Sequence, residues 1–156
     1  MCRKFLNITS TFTSFHTSQI FRFDSDISCS TEGLIYIIDC VTCIISYVGY
    51  TIGKMVTRLS NDKSHIKKNK KTCEITKHFI DKNHNLDFSD NKNFEDSLCK
   101  HLRVTLIEDV YLDPVLSNTE KEKVCQLRET FWQNQLKCFV RFGGLNKRNN
   151  KKYEKT

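Results

Sequence analysis

Cys40 and Cys43 are separated by two residues, and His78 and His84 follow with five residues between them. Two thiolates and two imidazoles make a donor set suited to tetrahedral zinc, and the Cys-x2-Cys spacing is that of a structural zinc pair. Two other readings of the same residues stay open. The cysteines can be buried free thiols and the histidines ordinary surface residues. Alternatively the Cys-x-x-Cys is a redox pair, although such pairs open a helix and this one closes a predicted strand.

The elements around these residues must bring them together. Leu34–Ile38 and Ile44–Tyr50 are rich in Ile, Val and Tyr, the composition of β-strands. The segment 39–43 between them is short enough only for a hairpin turn. A turn centred between Val41 and Thr42 sets Cys40 opposite Cys43 and Tyr36 opposite Tyr47. Opposed residues of an antiparallel pair share a face, so two phenols would stand side by side below two thiols. Val41-Thr42 lacks the Gly or Asn of a two-residue turn, and a metal at the tip would supply the missing constraint.

Downstream, Met55, Leu59 and Ile66 sit at helical spacing and predict a helix over 52–66, with Arg58 and Asp62 an i, i+4 ion pair. Lys67-Lys68-Asn69-Lys70-Lys71 is a charge run in a loop, either simply solvated or in contact with phosphate. A second short helix is expected over 72–79, a polar connection over 82–97 and a third strand over 102–107. Ser117-Asn118-Thr119-Glu120 is a capping box opening a helix that carries Val124, Leu127, Phe131 and Leu136 and runs to about Lys137. Residues 1–28 show no clean period and read as a poorly ordered arm or linker remnant. Residues 148–156 read as a basic, disordered tail.

The 156 residues suit one domain, here placed at 29–147. A net charge of +7 favours a polyanionic partner, with nucleic acid foremost. Neither an apolar secretory core nor a run long enough to span a membrane is visible in the sequence. The eight cysteines are therefore assigned to a reducing, intracellular compartment, nuclear or cytoplasmic, rather than to a secreted disulfide framework.

Leu34-Ile35-Tyr36, then Tyr47-Val48-Gly49-Tyr50-Thr51, then Arg58 resembles the motif series of a GIY-YIG nuclease domain. The similarity is greatest to the endonuclease domain of Penelope-like retroelements, whose first motif is degenerate in its Gly and whose two motifs flank a Cys-x-x-Cys. Arg128-Glu129-Thr130-Phe131-Trp132 resembles the family's Glu-x-Phe-Trp segment, and Gly144-Leu145-Asn146 its closing Asn. The resemblance implies a small α+β fold, with a three-stranded antiparallel sheet flanked by helices. It implies a divalent-metal-dependent DNA endonuclease that nicks duplex DNA, either a piece of a larger retroelement polyprotein or a stand-alone relic of one. Oligomeric state is not implied.

The resemblance also assigns roles. Tyr36 corresponds to the general base and Tyr47 to an assisting phenol. Arg58 corresponds to the guanidinium that meets charge developing on the phosphoryl group. Glu129 corresponds to the carboxylate that holds Mg²⁺ or Mn²⁺, and Asn146 to a supporting hydrogen-bonder. Cys40, Cys43, His78 and His84 correspond to a structural zinc set. Taken without the family, each has a plain alternative: strand aromatics, a helix-surface ion pair, an exposed helix Glu and a turn Asn.

One position departs from the family. Four residues after Arg58 the family has His, or Tyr in some branches, and this chain has Asp62, with His65 three residues on. An Asp offers no neutral nitrogen near pH 7 and can pair with Arg58 instead. The alternative function is thus a catalytically inactive, zinc-stabilised nucleic-acid-binding relic of such a domain.

Overall fold

The computed structural model describes residues 2–7, 10–23, 27–82, 84–140 and 143–147. The predicted tail, 148–156, lies outside them. A short 3-10 turn, Cys2–Lys4, precedes two three-residue strands, β1 (Thr11–Thr13) and β2 (Ile20–Arg22). Then follow β3 (Glu32–Cys40), β4 (Ile45–Lys54), α1 (Met55–Lys67), α2 (Glu74–Lys82), α3 (Asn91–Leu98), β5 (Leu102–Asp109) and α4 (Asn118–Leu136). The fold is α+β, a three-stranded antiparallel sheet in the order β4-β3-β5 with four helices. No helix among the described residues is long and apolar enough to cross a membrane.

Central strand β3 is buried from Gly33 to Cys40 because it has neighbours on both edges and packed layers on both faces. Its even residues, Leu34, Tyr36, Ile38 and Cys40, join Met55, Leu59 and Ile66 of α1, Ile75 and Phe79 of α2 and Phe94 and Leu98 of α3. Its odd residues, Ile35 and Ile37, join Val48, Ile107, Cys125 and Leu136, so α4 covers the opposite face.

The hairpin register differs from the one expected. Tyr36 pairs with Gly49, Tyr47 with Ile38, and Cys40 with Ile45. The turn therefore occupies four residues, 41–44, and closes with Ile44 in the left-handed region at φ 56°. The partner of each β3 residue from Leu34 to Cys40 moves by two positions. Because side chains alternate with a period of two, Tyr36 and Tyr47 keep a common face although they are not opposed.

Residues 2–7 and 10–23, expected as part of a loose arm, are packed. Phe5 and Phe12 are buried, one in each core. Val104 N–H donates to the Phe5 carbonyl (2.6 Å) and Asn7 N–H to the Val104 carbonyl (2.7 Å), so the N-terminal segment extends the β5 edge. The connection expected over 82–97 holds a helix, α3, capped by Asp90, whose side chain accepts from Asn93 N–H. The capping box at Ser117 and Glu120 forms as expected.

α4 is docked across the sheet by polar contacts. Arg128 donates to Glu108 of β5 (2.8 and 3.0 Å), as does Trp132 Nε1 (2.8 Å), while Gln126 donates to the Tyr50 hydroxyl of β4 (3.1 Å). These contacts fix the rotation of α4, and with it the direction of Glu129.

Candidate metal centre and phenol cluster

The four predicted metal donors converge. One donor atom from each of Cys40, Cys43, His78 and His84 lies within 4.8 Å of all the others. The His78 and His84 Nε2 atoms are 3.2 Å apart. His84 Nε2 is 3.4 Å from Cys40 Sγ and 3.9 Å from Cys43 Sγ. Tetrahedral bonds of ordinary Zn–N and Zn–S length imply an N···N edge of about 3.3 Å and N···S edges of about 3.6 Å. The cluster can therefore hold a metal ion such as zinc with little rearrangement.

Local structure explains the convergence. The four-residue turn folds the Cys43 N–H back onto Cys40 Sγ at 3.4 Å, which turns both sulfurs toward one point. His78 sits one residue before Phe79, whose ring is buried in the core, and so α2 is anchored against the sheet beneath the turn. His84 follows α2 and stacks on His101 at 4.9 Å, and His101 Nδ1 in turn meets Thr42 Oγ1 at 2.6 Å. Burial, with the neighbouring His84, pushes the His78 pKa down to about 4, and burial also lowers that of His84. Both rings are thus neutral near pH 7, the state that donates to a metal. Burial pushes the Cys40 thiol up to about 11, so it holds its proton until a cation displaces it.

A second cluster forms lower on the same sheet face. Tyr36 is fully buried, and its hydroxyl lacks a hydrogen-bond partner among the described residues. Tyr47, half-buried, lies beside it: a Cβ on Gly49 would be 2.7 Å from the Tyr36 hydroxyl and 2.8 Å from Tyr47 Cε1. Arg58, in the first turn of α1, donates to Asp62 Oδ2 (3.1 Å) and points Nη2 at Cys73 Sγ (3.8 Å). Burial drives both phenols well above their usual pKa, and the positive field of Arg58 opposes it at each.

Glu129 belongs to this cluster although α4 packs on the other face. Its charge is felt at Tyr47 and Tyr50, and Arg58 is the charge felt at Glu129. Burial pushes the Glu129 carboxyl up to about 7, with Arg58 pulling the other way. Neither a hydrogen bond nor an ion pair holds this carboxylate among the described residues. A half-buried carboxylate without a protein partner is costly to ionise, which is what raises its pKa.

Asn146 acts through the backbone. Its buried side chain accepts from Val48 N–H (2.8 Å) and donates to the Val48 carbonyl (2.8 Å), while Leu145 N–H donates to the Ser46 carbonyl (3.1 Å). The segment thereby closes the outer edge of β4 on both sides of Tyr47. Asn146 makes no hydrogen bond to either phenol among the described residues; it positions the strand that carries one of them.

The expected Arg58–Asp62 pair is present, with Asp62 buried. Burial raises the Asp62 pKa in spite of the Arg58 charge. His65 lies close enough for its charge to act on Asp62, and its Nδ1 meets Thr72 Oγ1 at 2.9 Å. Cys73 is an addition to the expected set. It sits one residue before α2, and its contact with Arg58 arises from the packing of α2 on α1, for which its local sequence holds no signal. Gly49 is expected only as a motif residue, and its role is to leave room for two rings.

No family model, no curated protein and no solved structure matches the chain.

Proposed function

We propose that the protein is a divalent-metal-dependent DNA endonuclease of the GIY-YIG type, stabilised by a structural zinc at Cys40, Cys43, His78 and His84. One observation carries the reading: Tyr36, Tyr47 and Glu129, drawn from β3, β4 and α4, all lie within reach of the charge of Arg58 on α1. These are the residues that the motif resemblance selects, and nothing in their spacing along the chain requires them to meet.

In this reading a Mg²⁺ or Mn²⁺ ion supplies Lewis-acid stabilisation of the phosphoryl oxygens. Glu129 would hold the ion, whose charge would keep that carboxyl ionised. Arg58 supports negative charge on the phosphoryl group. Tyr36 and Tyr47, the phenols that the resemblance selects, orient the attacking water; burial keeps both protonated, so they act through their hydroxyl groups and not as phenolate bases. Asn146 keeps Tyr47 in place by fixing Val48. The zinc set ties the hairpin tip to α2, contributing folding energy and no chemistry.

A second reading is a catalytically silent nucleic-acid-binding module, and the Asp62 side chain favours it. An Asp62 carboxylate bonded to Arg58 competes with a phosphoryl group for the same guanidinium, and the two buried phenols resist ionisation. Supercoiled-plasmid relaxation with Mg²⁺ or Mn²⁺, on the wild type beside Glu129→Ala, separates the two readings.

A further inference from the structure

The charge run that begins at Lys67 does not act as one unit. Lys71 is paired with Asp81 at 2.6 Å, on the α2 side. Lys67 and Lys68 instead line a cleft of about 770 Å³ between α1 and α3, together with Lys4, Lys63 and Lys92. Of these five lysines, Lys4 is paired with Asp96 and Lys63 with Glu95, each at 2.5 Å, which leaves Lys67, Lys68 and Lys92 without an ion pair among the described residues. Ser60, Ser64 and Asn91 add neutral hydrogen-bonding groups, and Phe94 supplies an apolar wall.

A second depression, of about 290 Å³, adjoins the first and shares Lys67 with it. Phe88 lines this one, stacked on Phe94 with ring centroids 5.5 Å apart and planes 28° apart. Phe88 nevertheless remains 47% exposed. Large aromatic residues stay that open at a cost in apolar burial, so a half-exposed ring beside a lysine track is a site for another flat, apolar group.

We infer that the two depressions form one groove for single-stranded nucleic acid, with Lys67, Lys68 and Lys92 along the phosphates and Phe88 as the base-stacking platform. Alternating cations and an exposed ring are the means by which strands are bound without sequence preference, because every base has a π-face and every linkage a charge. The groove is distinct from the phenol cluster: at 100° per residue, Ser60, Lys63, Ser64 and Lys67 lie on the side of α1 away from Arg58 and Asp62. Binding there does not depend on cleavage.

The test measures fluorescence anisotropy of a labelled oligothymidylate on the full chain, without added Mg²⁺, as a function of salt. The groove predicts that Lys67→Glu with Lys68→Glu weakens binding at least about tenfold and flattens the log–log salt slope by about 1.4, at about 0.7 for each phosphate no longer neutralised. Phe88→Ala is expected to weaken binding about tenfold and to leave the salt slope unchanged, since a stacking interaction releases no counterion. Lys67, Lys68 and Phe88 are all exposed, so the fold is retained, and circular dichroism checks it. An unchanged affinity in either variant overturns the groove. Binding of a duplex of equal length as tight as that of the single strand overturns its assignment to single strands. Since neither readout involves cleavage, failure here is separable from failure of the nuclease reading.

Discussion

Gly49 stands opposite Tyr36 in the β3–β4 ladder, and a Cβ there would lie 2.7 Å from both Cζ and the hydroxyl oxygen of Tyr36. The same Cβ would be 2.8 Å from Tyr47 Cε1. The bare Cα is what lets two phenol rings share one face of adjacent strands. Gly49→Ala is accordingly expected to destabilise the fold by about 1–3 kcal/mol through overpacking, measured by urea unfolding. Tyr36→Phe in the same background leaves the Cζ clash and rescues little; full rescue would show that only the hydroxyl is crowded.

Asn146→Ala removes both hydrogen bonds to the Val48 backbone and leaves that N–H and C=O buried without partners. A loss of roughly 1–3 kcal/mol is expected. Hydrogen exchange should quicken at Val48 more than at Ile37, its partner across the ladder. Equal exchange at both would indicate global destabilisation rather than release of the β4 edge.

Metal analysis of the purified protein should find about one zinc per chain, and Cys43→Ser should lose it while Cys99→Ser, outside the cluster, keeps it. Chelation is expected to lower the melting temperature by about 10 °C or more, because ligation energy in a small domain is folding energy. Retention of zinc by Cys43→Ser would exclude the Cys2His2 assignment.

The carboxyl of Asp62 provides a pH test of whether burial or Arg58 governs it. Its folded pKa is raised, burial outweighing the guanidinium. The unfolded chain therefore releases this proton first, near pH 3.9, while the native state holds it to higher pH. Stability from this group is fully present below about pH 3.9 and is lost as pH rises through the folded value. The stability of the wild type relative to Asp62→Asn should thus fall with rising pH over that window and then level. A relative stability that rises with pH would mean that Arg58 dominates and depresses the pKa.

Much of this arrangement is legible in the sequence, and the exceptions have physical causes. The two strands, the third strand and the Ser117 capping box follow from period and composition, and the shared face of Tyr36 and Tyr47 survives a register error of two because strand parity does. The register itself is hidden because the turn closes through Ile44, a β-branched residue at positive φ that no turn preference favours. α3 is hidden because only Phe94 and Leu98 of its residues are buried, too few to set a helical period. The N-terminal hairpin is hidden because its strands are three residues long and Phe12 is the one buried residue in them. Cys73 and the lysine groove depend on how α2 and α3 pack against α1, which local sequence does not encode.

The most direct measurement is the conversion of supercoiled plasmid to nicked circle by zinc-loaded, folded protein in Mg²⁺ or Mn²⁺, with Glu129→Ala alongside. In the proposed function Glu129 is the residue that would hold the catalytic cation, so the account predicts nicking by the wild type and at least about a hundredfold less by the variant. No nicking by the wild type, or equal nicking by both proteins, would contradict it.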